Sequence, residues 1–132
     1  MGMPVTAFYA SLLGLCYLYL SASVIHIRRQ EQISLGTGDS TVLQRLNRAH
    51  GNFNEYVPIT LILLGCLESF SAIQWILHVG ANALLFGRIL HAYGLQKHNG
   101  ASWQRQIGMV LTFLAMLFLC CANLYMIHYT VV

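Results

Sequence analysis

Residues 45–58, RLNRAHGNFNEYVP, decide how this chain folds. They open a long apolar segment, yet they carry Arg45, Arg48, His50, Asn52, Asn54 and Glu55. On a helix advancing about 100° per residue, Arg45, Arg48, Asn52, Glu55 and Tyr56 fall within one stripe roughly 100° wide. Two guanidinium groups, a carboxamide, a carboxylate and a phenol then share one face. If this helix enters a bilayer, that face cannot look at lipid, because a charged side chain at a helix centre costs about 2.5–3.5 kcal/mol on the insertion scale. Such residues face a bundle interior or a wet cavity, pair with one another and mark functional sites.

Composition puts most of the chain in a membrane. Of 132 residues, 57% are hydrophobic and only 8% charged, against about 25% charged in an average soluble domain. Seven Lys and Arg against four Asp and Glu are too few and too scattered for a nucleic-acid groove. Cys16, Cys66, Cys120 and Cys121 lie in apolar runs without metal spacing, and read as buried, reduced thiols. The six histidines, His26, His50, His78, His91, His98 and His128, form no i,i+4 pair, so no metal site is expected.

Working outward, four spans are expected, at about residues 4–28, 42–70, 74–94 and 104–129, in a single domain covering residues 1–132. The first run of about 24 apolar residues is long enough to cross ~30 Å of hydrocarbon. It lacks a basic segment ahead of it and is followed by Arg28-Arg29, so it reads as a retained span rather than a signal peptide. Asp39, Ser40 and Thr41 offer N-caps, and Thr41 with Gln44 reads as a capping box opening the second helix. Pro58 lies inside that helix and leaves the Asn54 carbonyl without a helical partner. Trp75, Trp103, Tyr125 and Tyr129 sit near the ends of apolar runs, as interfacial aromatics do.

Arg28, Arg29, Arg45 and Arg48 flank the first connection, and Arg88, Lys97 and Arg105 the third. All seven cations fall on one side, which the positive-inside rule makes cytoplasmic. Both termini are then extracytoplasmic, and the expectation is an all-α, antiparallel four-helix transmembrane bundle.

Two readings of the polar stripe stay open. In one, Glu55 and an arginine form an ion pair that only ties helices together. In the other, the arginines clamp an anionic small molecule. Arg88 and His91 share a face of the third helix; Arg88 either snorkels to the headgroups or joins this site. Arg105 opens the fourth helix, as an anchor or as the third arginine of one cytoplasm-facing cleft. Such a cluster would lower the pKa of a bound thiol.

Residues 48–58, RAHGNFNEYVP, resemble the RAxxNxxEYxP signature of the MAPEG family, membrane-associated proteins in eicosanoid and glutathione metabolism. Arg28-Arg29 resembles that family's basic pair, residues 87–91 its GRxxH/Y segment, and Arg105 its fourth-helix arginine. The whole chain is similar to the short bacterial inner-membrane members. The resemblance implies a homotrimer with glutathione between neighbouring subunits. Arg48, Asn52, Glu55 and Tyr56 would hold the peptide, with Arg88 and His91 completing the site. Arg28 or Arg29, and His50, would come from the neighbouring subunit. Arg105 would stabilise the thiolate, and a lipophilic electrophile would arrive through the bilayer. Leu95 stands where several relatives have a tyrosine, for which Tyr93 is the candidate substitute. Met109 stands where prostaglandin E synthases have a tyrosine, so that activity is not expected. One family member binds lipid without catalysing anything, so the alternative is a non-catalytic lipid-binding or scaffold trimer.

Overall fold

The computed structural model describes residues 2–131, and among them every regular element is helical: α1 (Pro4–Glu31), α2 (Thr41–Ser69), α3 (Gln74–Lys97) and α4 (Trp103–Val131). Helices are what a chain this apolar must form in lipid, because each satisfies its own backbone. By length and composition, α1 and α4 are apolar enough to cross a membrane. The other two helices carry Asn52, Glu55, Arg88 and His91.

The boundaries differ from the sequence expectation at three places. α1 continues one turn further, so Arg28 and Arg29 lie in its last turn. It stops where Gln32 adopts a left-handed conformation and donates its N–H to the Arg28 carbonyl. At α2 the cap is Ser40, whose Oγ accepts from the Leu43 N–H at 3.1 Å. Thr41 is already helical, so the expected Thr41–Gln44 capping box does not form. α3 runs through Gly94 to Lys97, where a break had been expected. Pro58 does not end α2.

α3 and α4 form the tightest pair. A Cβ on Gly108 would stand 2.6 Å from the Gly87 carbonyl oxygen and from the His91 nitrogen. Backbone therefore lies against backbone, a contact that small residues alone permit between helices. Among the described residues α2 packs on α1, α3 and α4, whereas α1 touches α2 and α3 alone. One core cluster gathers Leu13, Leu20, Phe53, Val57 and Leu84; a second gathers Tyr9, Leu64, Leu67, Leu77 and Leu119. Of the cysteines, Cys66 and Cys121 face outward, which corrects the expectation that all four are buried.

Candidate functional site

The stripe on α2 divides between inside and outside. Asn52 is buried, while Arg48 and Glu55 stand on the outer surface, joined by a 3.5 Å ion pair. Their side chains are 62% and 52% exposed, so water screens the pair in a way it does not screen Asn52. Tyr56, half-buried, packs edge-on against Phe113 of α4. Arg45 donates to the Asn99 side chain in the α3–α4 connection. That bond ties the start of α2 to the loop that carries α3 into α4.

Arg88 is the centre of the arrangement. It is 2% exposed, so it turns inward and does not snorkel. Its Nε donates to Thr112 Oγ1 at 2.9 Å, and its Nη1 donates to the Asn52 carboxamide oxygen. Its Nη2 reaches the Met109 sulfur at 3.1 Å, a weak acceptor. The Tyr56 ring lies 5.6 Å from the guanidinium carbon, within cation–π range. None of these partners carries a negative charge. Among the described residues the one ion pair is Arg48–Glu55, so the buried guanidinium has no carboxylate.

Around Arg88 lie two openings of different character. A cleft of about 310 Å³ is lined by His91, Ala101, Ser102, Arg105, Gln106 and Met109. Here the Arg105 Nη1 donates to the Gly100 carbonyl at 3.0 Å, and the Arg105 N–H meets Ser102 Oγ at 3.4 Å. Between α1 and α3 a mainly apolar cavity of about 390 Å³ is lined by Leu15, Cys16, Tyr19, Phe53 and Tyr93, with Arg88 in its wall. Met109 links the two regions, since it lines the cleft and touches Arg88.

The candidate residues are therefore not all together in one chain. Asn52, Tyr56 and Arg88 meet inside the bundle. His91, which is buried, and Arg105 share the cleft. Tyr93 is 52% exposed and lines the cavity on the α1 side instead. Its position two residues after His91 turns it away from α4. Arg28 spends its Nη1 on the loop carbonyls of Ile33 and Gly36, at 3.3 and 2.8 Å. Arg29 is exposed. His50 stacks on Tyr17, ring centres 4.7 Å apart, and its Nε2 lies 3.0 Å from Ser21 Oγ. The three arginines Arg48, Arg88 and Arg105 do not open on one cleft within a single chain, because Arg48 faces outward and Arg88 lines the α1–α3 cavity, not the cleft that Arg105 lines.

Met109 and Thr112 are contacts of Arg88 that sequence reasoning did not supply. Each is remote from Arg88 in the chain, and Thr112 carries no charge to draw notice. The one available signal was their place on the α4 face that follows Arg105.

Comparison with known proteins bears on what this arrangement is for. The MAPEG family model matches residues 6–125. The chain belongs to the MAPEG family. Over 121 residues it is 37% identical to Inner membrane protein YecN of Escherichia coli strain K12, covering 92% of this chain and 91% of that protein. The same protein from Escherichia coli O6:H1 strain CFT073 matches equally. This MAPEG chain is thus a member of a membrane-bound family, and its RAxxNxxEYxP stripe is the part whose inner half, Asn52 and Tyr56, holds the buried arginine.

Proposed function

We propose that this MAPEG protein is a membrane transferase or peroxidase that binds glutathione as its thiolate and delivers it to a lipophilic electrophile. The observation that carries this reading is Arg88, a buried guanidinium whose side-chain partners are all neutral. Isolated buried charge is costly, and an anionic ligand that reaches Arg88 from the cavity it lines would supply the missing sign. Arg105, at the cleft, is the group for the thiolate, since a nearby cation favours the ionised thiol. Asn52, Glu55, Tyr56, Arg48 and His91 are the remaining contacts on this subunit. The apolar cavity beside Tyr93 suits a lipophilic second substrate arriving from lipid.

The assembly proposed is a homotrimer of antiparallel four-span subunits in a bacterial inner membrane, with both termini extracytoplasmic. Support for the antiparallel course comes from α3 and α4, where Gly80 faces Leu119, Gly87 faces Gly108 and Gly94 faces Arg105. The printed name of the Escherichia coli relative supports the compartment. Arg48, Glu55 and Tyr93 point out of the bundle, which suits a ligand held between subunits, with Arg28 or Arg29 and His50 of the neighbour completing it.

The test is calorimetry of glutathione binding to detergent-purified protein in two buffers of different ionisation heat. The expected result is binding with proton release; the release is lost in Arg105→Ala, and the affinity falls at least about tenfold in Arg88→Met. No binding at millimolar glutathione would transfer the reading to a lipid-binding scaffold, for which the apolar α1–α3 cavity speaks.

A further inference from the structure

α3 does not stop at Gly94, although a glycine near the end of an apolar run often ends a helix. Gly94 is buried three residues inside the last turn, and its φ is that of the helix. What it supplies is therefore room. A Cβ there would stand 2.8 Å from Ser102 Oγ, 2.9 Å from Arg105 Cγ and 2.9 Å from the Arg105 backbone nitrogen. The first is a capping hydroxyl, the second is the stem of the side chain assigned to the thiolate, and the third is main chain. The Arg105 stem lies on the bare α3 backbone at Gly94. Its head is held by the Gly100 carbonyl at 3.0 Å, and its own N–H faces Ser102 Oγ.

We propose that Gly94 is a positioning residue for Arg105: by carrying no side chain it lets the Arg105 stem lie on α3 and sets where the guanidinium enters the cleft. The inference rests on the glutathione reading for its catalytic consequence, but its geometric half is independent of it. A methyl group at 94 must displace the stem and the first turn of α4, because one of the three contacts is backbone that cannot rotate away. The guanidinium then leaves the Gly100 carbonyl and the thiol position together. Gly80 is the natural comparison. It lies on the same α3–α4 seam, two heptads earlier, and a Cβ there would meet the Leu119 Cδ2 at 2.8 Å. The other neighbours of that Cβ are the Leu119 Cγ at 3.1 Å and the Phe118 Cδ1 at 3.4 Å, so the contacts at Gly80 are with side chains and not with backbone.

The experiment pairs Gly94→Ala with Gly80→Ala in the full-length protein, purified in detergent and checked for folding by circular dichroism and gel filtration. Arg105 is first labelled with phenylglyoxal and followed by peptide mass spectrometry. Labelling is expected to be severalfold faster in Gly94→Ala, whose guanidinium has lost its carbonyl, and unchanged in Gly80→Ala. Turnover against pH is then measured. Gly94→Ala is expected to lower kcat about tenfold, the scale of a small misplacement of a reacting group. Its pH profile moves to higher pH, because a thiol less well stabilised as the anion ionises later, while KM for glutathione stays near wild type. If Gly94→Ala alone does not fold, Gly94→Ala/Ser102→Ala removes the hydroxyl contact, keeps the methyl against Arg105, and is read against Ser102→Ala, which by itself takes the acceptor from the Arg105 N–H. Wild-type labelling rates in the folded variant overturn the proposal, as does an equal change in Gly80→Ala. Wild-type protein without turnover ends the glutathione reading alone, since labelling still decides whether Gly94 places Arg105.

Discussion

α4 and α1 lie on opposite sides of the α2–α3 layer and are held by different means. The α3–α4 seam is backbone on backbone, with Gly87 and Gly108 removing the side chains between them and Arg88, Thr112 and Met109 locked across it. Among the described residues α1 has no contact with α4, and besides Leu13 and Leu20 in the core it is held by polar clasps. At one end the Glu68 carboxylate accepts the Val5 and Thr6 N–H groups at 2.9 and 2.7 Å, capping the start of α1 from the end of α2. One turn on, the buried Tyr9 hydroxyl lies 2.9 Å from His78 Nδ1 and accepts from Asn82 at 2.8 Å. At the other end Ser21 meets His50. Between these clasps, cavities open on both of α1's inner flanks, one towards α3 and one towards α2. The contrast separates two jobs. A close-packed seam fixes charged groups relative to one another, while a clasped helix leaves apolar space that an apolar molecule can fill.

The largest effect should come from breaking the seam itself. Gly108→Val forces side-chain carbon into the Gly87 carbonyl and the His91 backbone. Overpacking of this kind costs about 1–3 kcal/mol or more, and backbone on the far side leaves little relief. Loss of folded protein in detergent, or a large fall in the thermal midpoint, is expected. A stability equal to wild type would show that the two helices are free to separate, and the contrast with α1 would fall.

A smaller and more local effect is expected at the clasps. Tyr9→Phe leaves His78 Nδ1 and the Asn82 amide without their shared partner, a loss of about 1 kcal/mol. Hydrogen exchange should rise in the first turns of α1 and stay unchanged in α3 and α4. Faster exchange across the seam as well would mean that the two regions unfold together, against the division drawn here.

The smallest effect belongs to the surface. Arg48→Ala removes a pair whose members are both more than half exposed, and such pairs contribute about 0–1 kcal/mol. Thermal stability should hardly move, whereas glutathione affinity should drop if Arg48 holds ligand. A large loss of stability with unchanged affinity would make the pair a structural lock and return the stripe to the packing reading.

Much of this was legible along the chain. Apolar run lengths placed four helices within a few residues, and the Arg45–Asn99 bond ties the start of α2 to the α3–α4 connection, two of the places where basic residues gather. The stripe on α2 was legible too, but not its division. Periodicity places Asn52 and Glu55 on neighbouring parts of one face, and it cannot say that Asn52 meets Arg88 while Glu55 looks out. What Gly94 admits was not legible for a related reason: a glycine that breaks a helix and one that admits a neighbour are the same letter. Glu68 gave no warning of its role, because its partners are backbone groups 62 and 63 residues away.

The sequence by itself determined the helices, their apolar character, the family and the inventory of charged groups, because these depend on residue type and on spacing within one helix. Only the tertiary structure decided that Arg88 is buried against Asn52 and Thr112, that Tyr93 and His91 serve different openings, and that Arg105 rests on bare backbone at Gly94. Those outcomes depend on which face of one helix meets which face of another. That is fixed by steric fit across the α2–α3–α4 contacts, where a single missing side chain sets the approach of two backbones.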